Sequence, residues 1–375
     1  MDAEARSGVR GPLSEPPLFF VAGEASGDRL AAEVLRARGT PSFGVGGEAS
    51  RAAGGELIVE LSAITAAGLG DVVRRAPTLA KATLRVVRAI EERAPRSAVL
   101  VDYVEANARL GAWLRRRHVR VTWCVAPQIW AWRRWRGPGL ARSMDRLATL
   151  FRFEVAPWRA LGVDARWVGH PAAENTLISR SEARSRCGLG DSAALAIVPG
   201  SRPREVLRCL PDMVAAAARV GVPTRLLLAP SLTGEARAWA LETAARNGIA
   251  TIAVDPRAGL SALLPAFDAA LVAAGTATLE CALAGVTPVI VARADRLAAL
   301  VLRRLVETPH LGLPNVLLGR RAFVELWQEQ ATPSALAREA AAALAHRIDC
   351  SGELRRTLTP DDGSTFGARV AGMVQ

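Results

Sequence analysis

Lysine is almost missing from this 375-residue chain: Lys81 is the only one among 48 basic residues, and the rest are arginines. So lopsided a choice reads as coding bias, and part of the net charge of +12 follows from it. The charge still attracts anions: phosphates, nucleic acid or an acidic lipid surface. Cysteine and histidine are scarce, at five and four residues. No cysteines stand at Cys-x-x-Cys spacing and no histidines stand four apart. This argues against a metal site and a disulfide framework, and for a reducing compartment. No apolar run reaches the ~18–20 residues that span a bilayer. The most apolar stretch, 260–291, is broken by Pro265, Asp268, Gly275, Glu280, Gly285 and Pro288. Residues 1–17 are polar, rich in Pro and Gly, and read as a disordered leader. The apolar residues that follow are too few for a secretory core of ~7–15. A cytoplasmic protein, soluble or peripheral on a membrane, is expected.

The rest is a folding composition, 50% apolar and 22% charged. At about 150 residues per domain, the length allows two to three domains. Ten short apolar runs read as strands, at 18–22, 98–102, 119–125, 147–151, 166–169, 195–199, 224–229, 250–254, 269–273 and 287–291. Helical Ala/Arg/Leu-rich stretches lie between many of them, such as 29–38, 79–93 and 235–247. Buried strands alternating with helices build parallel sheets covered on both faces. The strands are too many for one small sheet, so two doubly wound domains are expected. Polar composition at 169–188 places the hinge there. Ligands of such domains bind at the carboxyl ends of strands, in the cleft.

Six segments carry candidate chemistry. Residues 22–28 form a small-residue turn after the first strand. It is either a ligand loop, with Glu24 and Ser26 meeting sugar hydroxyls, or a tight turn with an ordinary cap. Asp102 ends a buried strand, as a general base at the cleft edge or as a helix-starting Asp. Residues 113–136 hold Trp113, Trp123, Trp130, Trp132 and Trp135, with Arg133, Arg134 and Arg136 among their arginines. Trp with Arg suits a membrane interface or nucleic acid. A packed strand and loop is the plain alternative, and it covers Trp123. Gly200, Ser201 and Arg202 open a helix, as a diphosphate clamp or as a solvated turn. That turn lacks the P-loop and dinucleotide fingerprints, so neither ATPase nor dehydrogenase chemistry is favoured. Gly275, Thr276, Ala277 and Thr278 offer a second anion site, or simple helix capping, with Glu280 one turn on to meet a ribose or solvent. Leu313-Pro314-Asn315, with Glu325, Gln328 and Glu329 downstream, reads alone as a loop and a polar helix face.

Taken in order, these segments resemble one family, the lipid-A-disaccharide synthases, inverting glycosyltransferases of the GT-B fold. The resemblance is carried by "AGEASGD" (22–28), "GVGG" (44–47), "VAPQIWAWR" (125–133), "FRFE" (151–154), "VGHP" (168–171), "PGSRPREV" (199–206), "GTATLECALAG" (275–285), "RRLVETPHLGLPN" (303–315) and "WQEQATP" (327–333). It implies an α/β protein of two Rossmann-like, doubly wound parallel-sheet domains facing a cleft. An acceptor- and membrane-facing domain would occupy 18–172 and a UDP-sugar domain 173–346. Residues 347–375 would pack back on an N-terminal domain, their own or a partner's in a homodimer.

The implied reaction joins UDP-2,3-diacylglucosamine to 2,3-diacylglucosamine 1-phosphate. It yields a β-1,6-linked disaccharide 1-phosphate and UDP, with no cofactor and no metal. The family's catalytic Asp falls on Asp102 and its essential Arg on Arg202. Its Asn and Glu motif residues fall on Asn315 and Glu280; Glu24 and Ser26 match its first loop and, with Asn107, would form the acceptor side. Trp130, Trp132, Arg133, Arg134, Trp135 and Arg136 become a docking patch for the anionic inner-membrane surface. The strand-end motif, usually Asp-x-Pro-Asp-Phe-Asn, here reads Asp102-Tyr103-Val104-Glu105-Ala106-Asn107. Its first Asp and its Asn persist, but Phe has become Ala, which removes a large apolar contact. Ala274 stands for a usual Ser, deleting a phosphate hydrogen bond of ~0.5–1.5 kcal/mol. Competing readings are a GT-B transferase with another acceptor and a non-catalytic lipid-binding relative. A nucleic-acid binder is disfavoured, because the arginines are spread along the chain and no nucleic-acid motif appears.

Overall fold

The computed structural model describes residues 16–61, 76–131, 134–256, 258–295 and 308–374. Its first sheet has seven strands: β1 (Leu18–Ala22), β2 (Ser42–Gly46), β3 (Glu56–Glu60), β4 (Ser97–Val101), β5 (Arg120–Cys124), β6 (Arg146–Thr149) and β7 (Asp164–Trp167). Its second has six: β8 (Leu195–Val198), β9 (Thr224–Leu228), β10 (Ala250–Ala253), β11 (Ala269–Ala273), β12 (Thr287–Ala292) and β13 (Glu325–Trp327).

The first sheet runs β3-β2-β1-β4-β5-β6-β7 and the second β10-β9-β8-β11-β12-β13. Neighbouring strands from β3 across to β6, and throughout the second sheet, are parallel. Each sheet therefore starts at a central strand, winds outward on one side, then returns to wind outward on the other. The reversal falls between β1 and β4 in one sheet and between β8 and β11 in the other. Loops leaving those strand ends diverge and open a crevice, which is where such sheets take ligands.

The strands are apolar on both faces because helices cover both. Leu18, Phe19, Phe20 and Ala22 of β1 are fully buried, as are Leu195, Ala196 and Ile197 of β8. Each large apolar side chain so buried contributes roughly 1.5–3 kcal/mol. Helix Pro203–Val220 buries Val206, Cys209, Leu210, Met213, Val214 and Ala217, a three-and-four spacing that lays one apolar stripe on the second core.

By internal packing the chain forms two units, one of 1–125, 140–148 and 367–375, the other of 126–139 and 149–366. Residues from the last helix, Phe366–Met373, complete the first unit. There Arg146 Nη1 donates to the Met373 carbonyl at 2.5 Å, and a side chain at Gly367 would meet the Glu33 carbonyl at 2.4 Å.

All ten expected strands are present, β1 and β11 at the expected bounds. Three strands lack a sequence signal. β2 is Ser-Phe-Gly-Val-Gly, and its Gly44 is required because a Cβ would lie 1.8 Å from the Phe20 carbonyl oxygen. β3 is a half-exposed strand with glutamate at both ends, and β13 has only three residues. Among the described residues no helix is long and apolar enough to cross a membrane. No group of His, Cys, Asp and Glu among them suits a metal ion.

Candidate functional site

In the first unit, the turns after β1 and β4 meet at the crossing point. Asp102, half-buried, follows β4 directly and its N–H donates to the Cys124 carbonyl at 3.0 Å. Asp102 and Tyr103 both adopt left-handed backbone, at φ 51° and 50°. Strain of this kind concentrates at functional sites. Asn107, fully buried one turn into helix Val104–Arg115, donates from Nδ2 to the Asp102 carbonyl at 2.6 Å and the Val101 carbonyl at 3.3 Å. Gly23 lies under Tyr103, where any Cβ would come within 2.2 Å of the Tyr103 Cβ. Glu24 and Ser26 are exposed on the same turn.

The last residue of that turn motif has a different task. Asp28 is buried and accepts from the N–H groups of Gly47 at 2.7 Å, Ala49 at 2.9 Å and Ser50 at 3.3 Å, and from Ser50 Oγ at 2.5 Å. It ties the first motif to the Gly44–Gly47 motif. Sequence reading misses this role, because its partners lie about twenty residues away.

In the second unit, β8 ends in Pro199, and Gly200 then turns at φ 106°. Ser201 and Arg202 are exposed, and Arg202 caps helix Pro203–Val220 with extended backbone. Glu205 reaches back beneath this turn. Burial pushes its carboxyl above the usual range, opposed by the Arg202 charge and by N–H groups of Ser201 and Arg202. Gly275 and Thr276 are exposed after β11, at the start of helix Thr276–Leu283, with Ala277 and Glu280 half-buried. The Thr278 hydroxyl is buried and donates back to the Gly275 carbonyl at 2.7 Å, so it shapes the turn from within. A cavity of about 260 Å³ adjoins these turns, lined by Glu205, Ala274, Arg293, Leu311 and Trp327 among others.

Asn315 is fully buried. Its amide donates to the Phe323 carbonyl and to Glu325 Oε1, both at 2.8 Å, and accepts from the Phe323 N–H at 2.9 Å. Glu325 also accepts from the N–H groups of Leu311 at 3.0 Å and Gly312 at 2.9 Å. Both side chains hold the 311–325 loop in shape.

The Trp/Arg segment divides by burial. Trp123 is a core residue of β5. Trp113 lies under the Arg117 guanidinium at 3.8 Å. Trp130 is half-buried, donates to Glu154 Oε1 at 3.0 Å and meets the Phe153 ring edge-on at 4.9 Å. Phe153 stacks on Phe151 at 5.5 Å, and Phe151 on buried His170 at 5.8 Å. Trp135 is 76% exposed, next to exposed Arg134 and half-buried Arg136. Trp132 and Arg133 lie outside the described residues. Burial raises the Glu154 carboxyl to about 8 and lowers His170 to about 4.

Twin parallel sheets wound in the same order, with small-residue turns at both crossing points, define a two-domain protein of the GT-B class. The chain is similar to a putative UDP-N-acetylglucosamine 2-epimerase from Listeria monocytogenes, at TM-score 0.62 and 13% identity over 95% of this chain and 94% of that one. It is also similar to UDP-GlcNAc 2-epimerase from Neisseria meningitidis, at TM-score 0.61 and 8% identity over 95% and 97%. At such identities these likenesses show the fold alone.

Sequence relatives are more specific. A family model described as lipid-A-disaccharide synthetase matches residues 18–354. Lipid-A-disaccharide synthase from Anaeromyxobacter dehalogenans is 40% identical over 90% of each chain. The Myxococcus xanthus protein of that name is 38% identical over 87% of this chain and 88% of its own. The chain belongs to the lipid-A-disaccharide synthetase family and is a glycosyltransferase of lipid A disaccharide synthesis.

Proposed function

We propose that the protein joins UDP-2,3-diacylglucosamine to 2,3-diacylglucosamine 1-phosphate, releasing UDP and the β-1,6-linked disaccharide 1-phosphate. The observation that carries this reading is the placement of family motif residues at both sheet crossing points: Glu24, Ser26 and Asp102 at one, Arg202 and Gly275–Thr278 at the other. The half containing the first sheet, 18–172, takes the acceptor. The half containing the second, 173–346, takes the UDP-sugar.

The Asp102 carboxylate removes the proton from the acceptor 6-hydroxyl as its oxygen attacks the anomeric carbon. The bond to the UDP oxygen breaks on the opposite face, so the configuration inverts. Negative charge grows on the leaving diphosphate. Arg202, with the backbone N–H groups at the starts of helices Pro203–Val220 and Thr276–Leu283, stabilises that charge where it develops. Glu280 serves the ribose. Asn315 acts through Glu325 by fixing the loop, since its amide is already engaged. Trp130, Trp135, Arg134 and Arg136, with Trp132 and Arg133, dock the enzyme peripherally on an anionic inner leaflet. Of the 347–375 segment, only 367–375 pack with the first unit, while 347–366 stay with the second; a homodimer remains part of this reading.

The experiment uses protein in detergent micelles with the two lipid sugars, following UDP release together with disaccharide mass. Wild type yields both products, and Asp102→Ala and Arg202→Ala each lose both. UDP without disaccharide would point to another acceptor or to hydrolysis. No turnover despite lipid-sugar binding would favour a non-catalytic relative.

A further inference from the structure

Asn107 uses only half of its amide. Nδ2 donates to the carbonyls of Asp102 and Val101, while Oδ1 is buried without a partner. An unsatisfied buried acceptor is costly, and an apolar side chain of the same shape would pack here without that cost. The donating half must therefore supply something that packing cannot. What it holds is the turn at Asp102 and Tyr103, two successive non-glycine residues in left-handed backbone. Such backbone is disfavoured for a bulky residue like tyrosine. Relaxation of either residue would swing the Asp102 side chain away from its present direction. On the other flank, Tyr103 lies so close over Gly23 that no side chain fits between them. The turn is clamped by the Asn107 amide on one side and by the 22–28 loop on the other.

We propose that Asn107 is a positioning residue for Asp102, holding the strained turn that aims its carboxylate. This rests on the reading of Asp102 as general base. Asn107 itself is fully buried, so it does not line the acceptor side as the resemblance implies, and it acts only through Asp102.

Tyr103 is the only tyrosine in the chain, so protein labelled with fluorotyrosine has one fluorine resonance, located at this turn. Asn107→Leu keeps the approximate shape and removes the amide. Its kcat should fall by about 100-fold, the usual consequence of a misaimed catalytic group, with KM held within about threefold. The fluorine resonance should shift or broaden while thermal unfolding stays cooperative. Asn107→Ser retains a shorter donor and should fall between wild type and Asn107→Leu. If Asn107→Leu does not fold, Asn107→Ser supplies both readouts. An unchanged kcat overturns the proposal, as does a raised KM at unchanged kcat, or an unmoved fluorine resonance. Failure of the underlying reading looks different: wild type does not join the two lipid sugars. The fluorine comparison between wild type and variants then still decides whether Asn107 holds the turn.

Discussion

The indole N–H of Trp130 donates to a carboxylate oxygen of Glu154 at 3.0 Å, and the second Glu154 oxygen accepts from the Phe151 N–H at 3.2 Å. One buried carboxyl thus joins the Trp/Arg segment to the Phe-Arg-Phe-Glu turn. Because burial lifts Glu154 to about 8, the folded state holds this proton where the unfolded chain has released it. Stability from Glu154 is present in full below its ordinary value of 4.5 and is lost as pH rises towards 8. His170, lowered to about 4, works in the opposite sense and only below its ordinary 6.5. Above that value the slope from Glu154 stands apart from the histidine contribution. Between about pH 6.5 and 8, wild type should lose up to about 1.4 kcal/mol per pH unit from Glu154. Glu154→Gln keeps an acceptor for Trp130 and cannot ionise. Its urea midpoint should decline less across that window, and an equally steep decline would refute the assignment.

Gly200→Ala tests the turn after β8. A Cβ there would lie 1.9 Å from Glu205 Oε2, at φ 106°, which an L side chain rarely adopts. The substitution should cost about 1–3 kcal/mol of stability through backbone strain. It should also reduce kcat/KM for the UDP-sugar by at least about tenfold, because the Arg202 backbone moves with the turn. Denaturant titration and steady-state kinetics measure the two effects separately.

Asp28→Asn removes the charge and leaves only one acceptor oxygen for three N–H groups and a hydroxyl. We expect a loss of about 1–3 kcal/mol in a urea titration. Full retention of stability would show that water replaces these bonds.

Trp135→Ser should leave folding stability within about 0.5 kcal/mol, as for most exposed positions. If the indole enters a lipid interface, the variant loses roughly 1.5–3 kcal/mol of apolar burial there. Co-sedimentation with phosphatidylglycerol vesicles should weaken by about tenfold or more. Equal sedimentation of variant and wild type would exclude Trp135 from the membrane face.

The features legible in the sequence are those set by neighbours along the chain. β1 and β11 are continuous apolar runs, and Asp102 and Arg202 stand just after two more such runs, β4 and β8. β2 escapes because two glycines break its apolar run, and the need for Gly44 arises from the Phe20 backbone on another strand. Asp28, Glu154 and Glu325 are ordinary acids in the sequence. Their roles depend on partners that only the folded chain brings near. Asn315 is visible as a motif residue, but that its whole amide is engaged with Phe323 and Glu325 is a fact of three dimensions. In the Trp-rich segment the strand pattern separates equal residue types, with Trp123 inside β5 as core and Trp135 beyond it at the surface.

The return of residues 367–374 to the first unit bears on biosynthesis. Thr122 and Met373 are in contact across 251 positions of chain, and Arg38 and Val374 across 336. A ribosome delivers β1 to β5 early, yet the helix that finishes their packing emerges only after 149–366 has been made. All residues of the second unit, 126–139 and 149–366, thus precede the last segment of the first. The first unit therefore cannot complete its packing until chain beyond residue 366 has been made, although most of it precedes residue 149.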